Sequence, residues 1–131
     1  MPVIVDTNII SDVIHQDPLW SSWSSEQLIQ NAGDLVVNPM IFSELCCRAA
    51  SAAEVDRIIQ TFGFIWEEFT RDALFLAAQA FLNYRRQGGV RTSPLPDFFI
   101  GAHAQDKGYA LLTQDKGRYG SYFPTVRLIC P

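Results

Sequence analysis

A chain of 131 residues that is 48% hydrophobic and 18% charged has the size of one domain and too much apolar content to stay disordered. It contains no apolar run of the ~18 residues a membrane helix needs, and its start, Met1-Pro2-Val3-Ile4-Val5, lacks the basic stretch of a secretion signal, so a cytoplasmic protein without membrane contact is expected. A net charge of -4 with a pI near 5.0 argues against holding nucleic acid by bulk charge alone.

The first β-branched run, Val3-Ile4-Val5, reads as a strand, with Thr7 as N-cap of a helix over Asn8 to Ile14. Pro18 to Gln30 reads as a second helix, with Trp20, Trp23 and Leu28 as core candidates. Leu35-Val36-Val37 is the next strand. Asn38 then caps a helix with Pro39 at its first position, and that helix carries Glu44. Ala52 to Phe62 is helical and ends at Gly63, and Phe64-Ile65-Trp66 forms a third strand. Thr70 caps the longest helix, whose residues Leu74, Phe75, Ala78, Phe81 and Leu82 recur at helical spacing and are assigned to the core. Residues 88 to 96 form a loop too short to separate two domains. Asp97 to Lys107 is a helix stopped by Gly108. Tyr109 to Thr113 is a strand, a short turn or helix follows Asp115, and Val126 to Ile129 is the last strand. Strands alternating with helices over residues 1–131 predict a single α/β domain with a mostly parallel sheet covered on both faces.

Cysteines and charge sharpen the picture. Cys46, Cys47 and Cys130 are odd in number and lack zinc-site spacing, so all three are read as buried thiols. Residues 1 to 65 carry eight acids against two bases, whereas residues 66 to 131 carry six against eight. A basic surface beside an acidic cleft is compatible with that split.

Four acids fall at element ends: Asp6 after the first strand, Glu44 one turn into its helix, Asp97 opening a helix and Asp115 after a late strand. In an open α/β sheet, ligands bind beyond the carboxyl ends of the strands, so all four can share one rim. Grouped carboxylates repel, and a hard divalent cation such as Mg²⁺ or Mn²⁺ removes that conflict. Each acid also has an ordinary role: a turn for Asp6 and Asp115, a cap for Asp97, and pairing with Arg48 for Glu44. His15 and His103 lack partners at metal-ligand spacing and are read as structural.

The blocks Ile4-Val5-Asp6-Thr7-Asn8-Ile9, Asn38-Pro39 with Ser43-Glu44-Leu45, Pro96-Asp97-Phe98-Phe99-Ile100-Gly101-Ala102-His103-Ala104 and Leu111-Leu112-Thr113-Gln114-Asp115-Lys116-Gly117, followed by Tyr122-Phe123-Pro124, occur in order. Through them the chain resembles PIN-domain ribonucleases, specifically the VapC-type toxins of type II toxin-antitoxin systems. The resemblance implies a PIN-like three-layer α/β/α sandwich of about five strands. It also implies endonucleolytic cleavage of RNA with Mg²⁺ or Mn²⁺, a cognate VapB-like antitoxin and a homodimer. Under it, Asp6, Glu44, Asp97 and Asp115 are the catalytic and metal-binding quartet, Asp6 and Asp97 foremost. Thr7, Asn8 and Thr113 orient them, and Asp12 is a weaker candidate. Many relatives carry Arg where this chain has Gln114, which removes one phosphate contact. Arg85, Arg86, Arg91, Lys116 and Arg118 remain candidate RNA contacts.

Two other classes compete. A catalytically silent PIN fold that binds RNA or protein keeps the acids without cleavage. A receiver or haloacid-phosphatase domain also places an Asp after its first strand, but Asp6-Thr7-Asn8 lacks the second Asp of the phosphatase, and no acidic pair precedes a phospho-acceptor strand.

Overall fold

The computed structural model describes residues 1–92 and 95–131. Ser93 and Pro94, within the loop expected at residues 88 to 96, lie outside the described residues.

Five short strands, β1 (Val3–Val5), β2 (Leu35–Val37), β3 (Ile65–Trp66), β4 (Ala110–Leu112) and β5 (Leu128–Ile129), form one sheet in the order β3-β2-β1-β4-β5. Every pairing is parallel, with Val3 opposite both Leu35 and Ala110. The three central strands are buried residue by residue, which is why they read as uninterrupted Val, Ile, Leu and Ala runs rather than as alternating patterns. Starting from the centre, the chain steps outward through β2 to β3, then returns across β1 to β4. The strand order therefore reverses between β1 and β4.

Seven helices connect these strands among the described residues: α1 (Thr7–Ile14), α2 (Ser21–Gln30), α3 (Pro39–Cys46), α4 (Ala52–Phe62), α5 (Arg71–Arg86), α6 (Pro96–Lys107) and α7 (Lys116–Tyr122). Right-handed crossovers place α1 to α4 on one face of the sheet and α5 to α7 on the other, giving the three-layer α/β/α arrangement. Within the layers α1 meets α2 and α3, α3 meets α4, and α6 meets α5 and α7, while α3 and α6 also touch each other across the division.

Local chemistry sets most helix ends where the sequence puts them. Asn38 accepts hydrogen bonds from the Met40 and Ile41 amides, Thr70 accepts from Ala73, and Gly63 and Gly108 close α4 and α6 in the left-handed conformation that glycine adopts freely. At α1 the cap is one residue earlier than expected. The Asp6 carboxylate accepts the Thr7 amide, making Thr7 the first helical residue. The helix expected from Pro18 begins at Ser21, because Pro18 to Trp20 form a turn held by the Asp17 side chain.

Three expectations about burial fail. Helix α5 turns Ala73, Ala77 and Ala80 inward, while Leu74, Phe75, Ala78 and Leu82 face outward and only Phe81 of the expected stripe packs on the core. Small side chains let α5 lie close to α6, where Phe81 and Tyr84 pack on Phe98. Of the three core candidates around α2, Leu28 is buried and Trp23 packs partly buried against the core, whereas Trp20 does not join it. None of the cysteines is fully buried: Cys46 and Cys130 are intermediate and Cys47 is exposed. No helix among the described residues is long and apolar enough to cross a membrane.

Candidate active site

At the strand-order reversal, the carboxyl ends of β1 and β4 lie side by side, and the Asp6 amide donates to the Leu112 carbonyl at 2.9 Å. Backbone pairing thus carries Asp6 and Thr113 to the same rim. The Thr113 hydroxyl donates to Asp6 Oδ2 at 2.7 Å, Asn8 Nδ2 approaches the same oxygen at 3.4 Å, and the Thr7 amide donates to Oδ1 at 2.8 Å. Because Asp6 caps α1, the Thr7 hydroxyl is free to donate to Glu44 Oε1 at 2.7 Å, joining α1 to α3.

Asp97, in the first turn of α6, is tied to the cluster through a residue that sequence reasoning overlooked. The hydroxyl of Tyr119, fully buried on α7, lies 3.2 Å from Asp6 Oδ2 and 3.3 Å from Asp97 Oδ1. An aromatic residue in the first turn of an otherwise polar, glycine-containing helix, Lys116-Gly117-Arg118-Tyr119-Gly120, was the available signal. On the solvent side, Arg118 Nη1 donates to Asp97 Oδ2 at 2.6 Å.

Asp115 sits at the rim as the N-cap of α7. It accepts from the Arg118 amide, and its own amide donates to the Thr113 hydroxyl. Its charge acts on Arg118, whereas the carboxylates felt by Asp6 are those of Asp97 and Glu44.

Electrostatics single out Asp6. Burial raises its pKa to about 6, and the negative charges of Asp97 and Glu44 add to that, against the stabilising bonds from Thr113 and Thr7. Glu44 is also raised, chiefly by burial, with Asp97 contributing. Burial and the same carboxylates push the Tyr119 phenol far up, so it remains protonated.

A second polar network, linked to the first through Asn8, centres on Asp12 further along α1. Asp12 Oδ2 accepts from Ser24 at 2.9 Å and from the Gln114 side-chain amide, while the Gln114 backbone amide donates to Asn8 Oδ1 at 3.3 Å. Gln114, expected only as a lost phosphate contact, instead fastens the β4 end to α1.

His103 is structural, as expected. Asn38 Oδ1 is taken by backbone amides, so Asn38 Nδ2 must donate to His103 Nδ1 at 2.9 Å, leaving Nε2–H to donate to Glu67 at 3.2 Å. Burial lowers its pKa and keeps it neutral, against the opposing pull of Glu67.

Of the candidate RNA contacts, Arg118 is engaged with Asp97, and Arg85 donates to the Arg91 carbonyl at 2.7 Å. Arg86, Arg91 and Lys116 are exposed.

The PIN domain, as a family, matches residues 3–119. The chain belongs to the PIN-domain family. Its fold is shared with the VapBC2 complex of Rickettsia felis bound to a DNA fragment from their promoter, at a TM-score of 0.73 and 16% identity, covering 99% of this chain and 98% of that one. DNA-bound VapBC of Salmonella typhimurium is similar at 0.75 and 16%, with 99% and 98% covered. A toxin-antitoxin complex from Klebsiella pneumoniae is similar at 0.73 and 18%, with 98% and 97% covered. No curated protein matches the chain.

Whether a cation suits this PIN domain depends on its donor set. Among the described residues no three His, Cys, Asp or Glu groups already enclose a metal-sized point. Tyr119 and Arg118 stand between or upon the carboxylates. The donor chemistry nevertheless fits a hard divalent ion: all oxygen, clustered at one rim, with Asp6 and Glu44 held above the ordinary carboxylate range by burial and by uncompensated neighbouring charge.

Proposed function

We propose that this PIN domain is the toxin of a type II toxin-antitoxin pair and acts as a metal-dependent endoribonuclease on RNA phosphodiester bonds. The observation that carries the reading is the meeting of Asp6, Glu44 and Asp97 from three separate elements, where each of the latter two raises the pKa of the buried Asp6. Capping α1 accounts for only one oxygen of Asp6 and Arg118 pairs only with Asp97, so three carboxylates share a single cation.

In this reading Asp6, Glu44 and Asp97 hold Mg²⁺ or Mn²⁺, with Asp115 contributing from the rim. When bound, the divalent ion supplies the positive charge that activates water and stabilises the developing charge on phosphate. Thr113, Thr7 and Asn8 hold the Asp6 and Glu44 carboxylates in place through their hydrogen bonds. Arg118 releases Asp97 and turns to the RNA phosphate. That exchange costs little, because an ion pair whose arginine is 43% exposed contributes at most about 1 kcal/mol. Lys116, Arg86 and Arg91 extend the basic margin, and Arg85 supports it by holding the Arg91 backbone.

The partners are a VapB-like antitoxin and a second copy of the chain. Leu74, Phe75 and Leu82 on α5, and Leu19 and Ile29 around α2, leave apolar surface in water that such assembly would cover.

The test is cleavage of total cellular RNA by purified protein with Mg²⁺, Mn²⁺ or EDTA, beside Asp97→Asn. Discrete fragments that require metal and vanish in the variant support the reading; equal cleavage by Asp97→Asn refutes it. A catalytically silent binding module is the second reading, favoured by Arg118, which already neutralises Asp97. Calorimetry decides between them: heat on adding Mn²⁺ supports the nuclease, and its absence supports the module.

A further inference from the structure

We propose that Tyr119 is a positioning residue for the acid cluster: its buried hydroxyl, lodged between the Asp6 and Asp97 carboxylates, sets the spacing and orientation in which the two meet a divalent cation. The proposal rests on the cation-binding reading of those acids given above.

The geometry leaves the hydroxyl few other roles. Among the described residues its only partners are Asp6 Oδ2 at 3.2 Å and Asp97 Oδ1 at 3.3 Å, from the end of β1 and the start of α6. With no exposed surface, the ring cannot swing away without opening the core. A phenol has one proton and donates to one carboxylate at a time, so it adds no negative charge while standing between two groups that repel.

The two oxygens of Asp6 are unequally engaged. Thr113 donates to Oδ2 at 2.7 Å, and Tyr119 at 3.2 Å and Asn8 at 3.4 Å share what remains of that oxygen, whereas among the described residues Oδ1 receives the Thr7 amide alone and keeps one direction open. Asp97 faces Tyr119 with Oδ1 and holds Arg118 with Oδ2. Thr113 and Asn8 thus help turn Oδ1 of Asp6 to the site, and what Tyr119 adds is the spacing of Asp97 from Asp6. Without the hydroxyl nothing stands between the two carboxylates, Asp97 is held by Arg118 alone and can turn away from Asp6, and part of the cation's binding energy goes into drawing it back.

The experiment compares wild type with Tyr119→Phe, which keeps the ring and hence the packing, and with Tyr122→Phe. The Tyr122 hydroxyl, on the same helix, reaches only Gln87 at 3.4 Å, so its loss controls for removing a phenol. Two readouts are taken: Mn²⁺ affinity by calorimetry, and the side-chain carboxyl carbon resonances of Asp6 and Asp97 in metal-free protein. Tyr119→Phe should lose about tenfold or more in Mn²⁺ affinity, in the range seen when a group supporting a metal ligand is removed. The Mn²⁺ concentration for half-maximal cleavage should rise to match, with KM for RNA unchanged. The Asp6 and Asp97 resonances should move in Tyr119→Phe and stay in place in Tyr122→Phe. Wild type that binds Mn²⁺ while Tyr119→Phe binds it equally overturns the role of Tyr119 alone. Wild type that binds no Mn²⁺ overturns the cation-binding reading and the proposal with it, and the two failures are told apart by the wild-type titration.

Discussion

The two ends of α1 each carry a largely buried aspartate, and they are opposites. At the N-terminal end Asp6 is surrounded by neutral donors, yet its charged neighbours are Asp97 and Glu44. Toward the C-terminal end Asp12 is met by Ser24 and Gln114, and its one charged neighbour acting on it is Asp17, five residues on in the chain. Burial raises the pKa of both and an acid raises each further, but at Asp6 two carboxylates from distant elements converge where at Asp12 a single local one acts. Burying an acid is not in itself a functional signature. What distinguishes a site is charge that the protein leaves uncompensated.

The largest expected effect falls on the Asp6 end. Asp97→Asn should reduce metal-dependent RNA cleavage by more than ~100-fold, beyond the loss typical of groups that merely support a ligand, while circular dichroism remains unchanged. Retained activity would erase the distinction between the two ends.

pH offers the next test. A folded pKa of about 6 for Asp6, above its ordinary value of 3.8, means that ionising it costs the metal-free fold. That penalty is absent below about pH 4, grows as pH rises toward 6 and is then constant, amounting to about 3 kcal/mol. His103 works in the other direction, since a buried neutral imidazole loses stability as pH falls below its ordinary 6.5. A cation must displace the Asp6 proton, so Mn²⁺ affinity by calorimetry should fall at least severalfold between about pH 7.5 and pH 5.5. Thermal stabilisation by Mn²⁺ should shrink with it. A flat profile would remove Asp6 from the ligand set.

At the other end, Ser24 and Gln114 both donate to Asp12 Oδ2, so Asp12→Asn can keep both bonds through its one oxygen and loses only their charge assistance. Its expected cost is at most about 1 kcal/mol by denaturant unfolding, with Mn²⁺ affinity within about twofold of wild type. A collapse of metal binding in this variant would show that the network through Gln114 and Asn8 joins the two ends into one site. The smallest effect is reserved for a position that sequence periodicity placed in the core. Leu82→Gln on the outer face of α5 should change monomer stability by less than about 0.5 kcal/mol, as expected for a surface site. A change in sedimentation in the same variant would identify that face as covered by a second copy.

These contrasts mark where the sequence was legible. Asp6, Glu44 and Asp97 could be picked out because each stands where an element begins, or one turn into it, and because a parallel sheet presents its ligand site at one edge. Thr7, Asn8 and Thr113 were legible for the same reason, being next to those acids or on the neighbouring strand end. Asp115 was placed correctly at its rim, but its geometry there is that of a helix cap holding Arg118. Tyr119 escaped because nothing local requires a tyrosine in α7; its meaning comes from two carboxylates that are distant in the chain.

By itself the sequence determined the alternation of strands and helices, the caps at Asn38 and Thr70 and the stops at Gly63 and Gly108, since these depend on hydrogen bonds and backbone angles within a few residues. The order β3-β2-β1-β4-β5, the inward choice of alanines on α5 and the meeting of Tyr119 with Asp6 and Asp97 were decided only by tertiary structure. Helix α5 offers two apolar faces, and periodicity cannot tell which one a neighbouring helix can approach more closely. Strand order and side-chain convergence likewise depend on contacts between residues far apart in the chain, which no local spacing encodes.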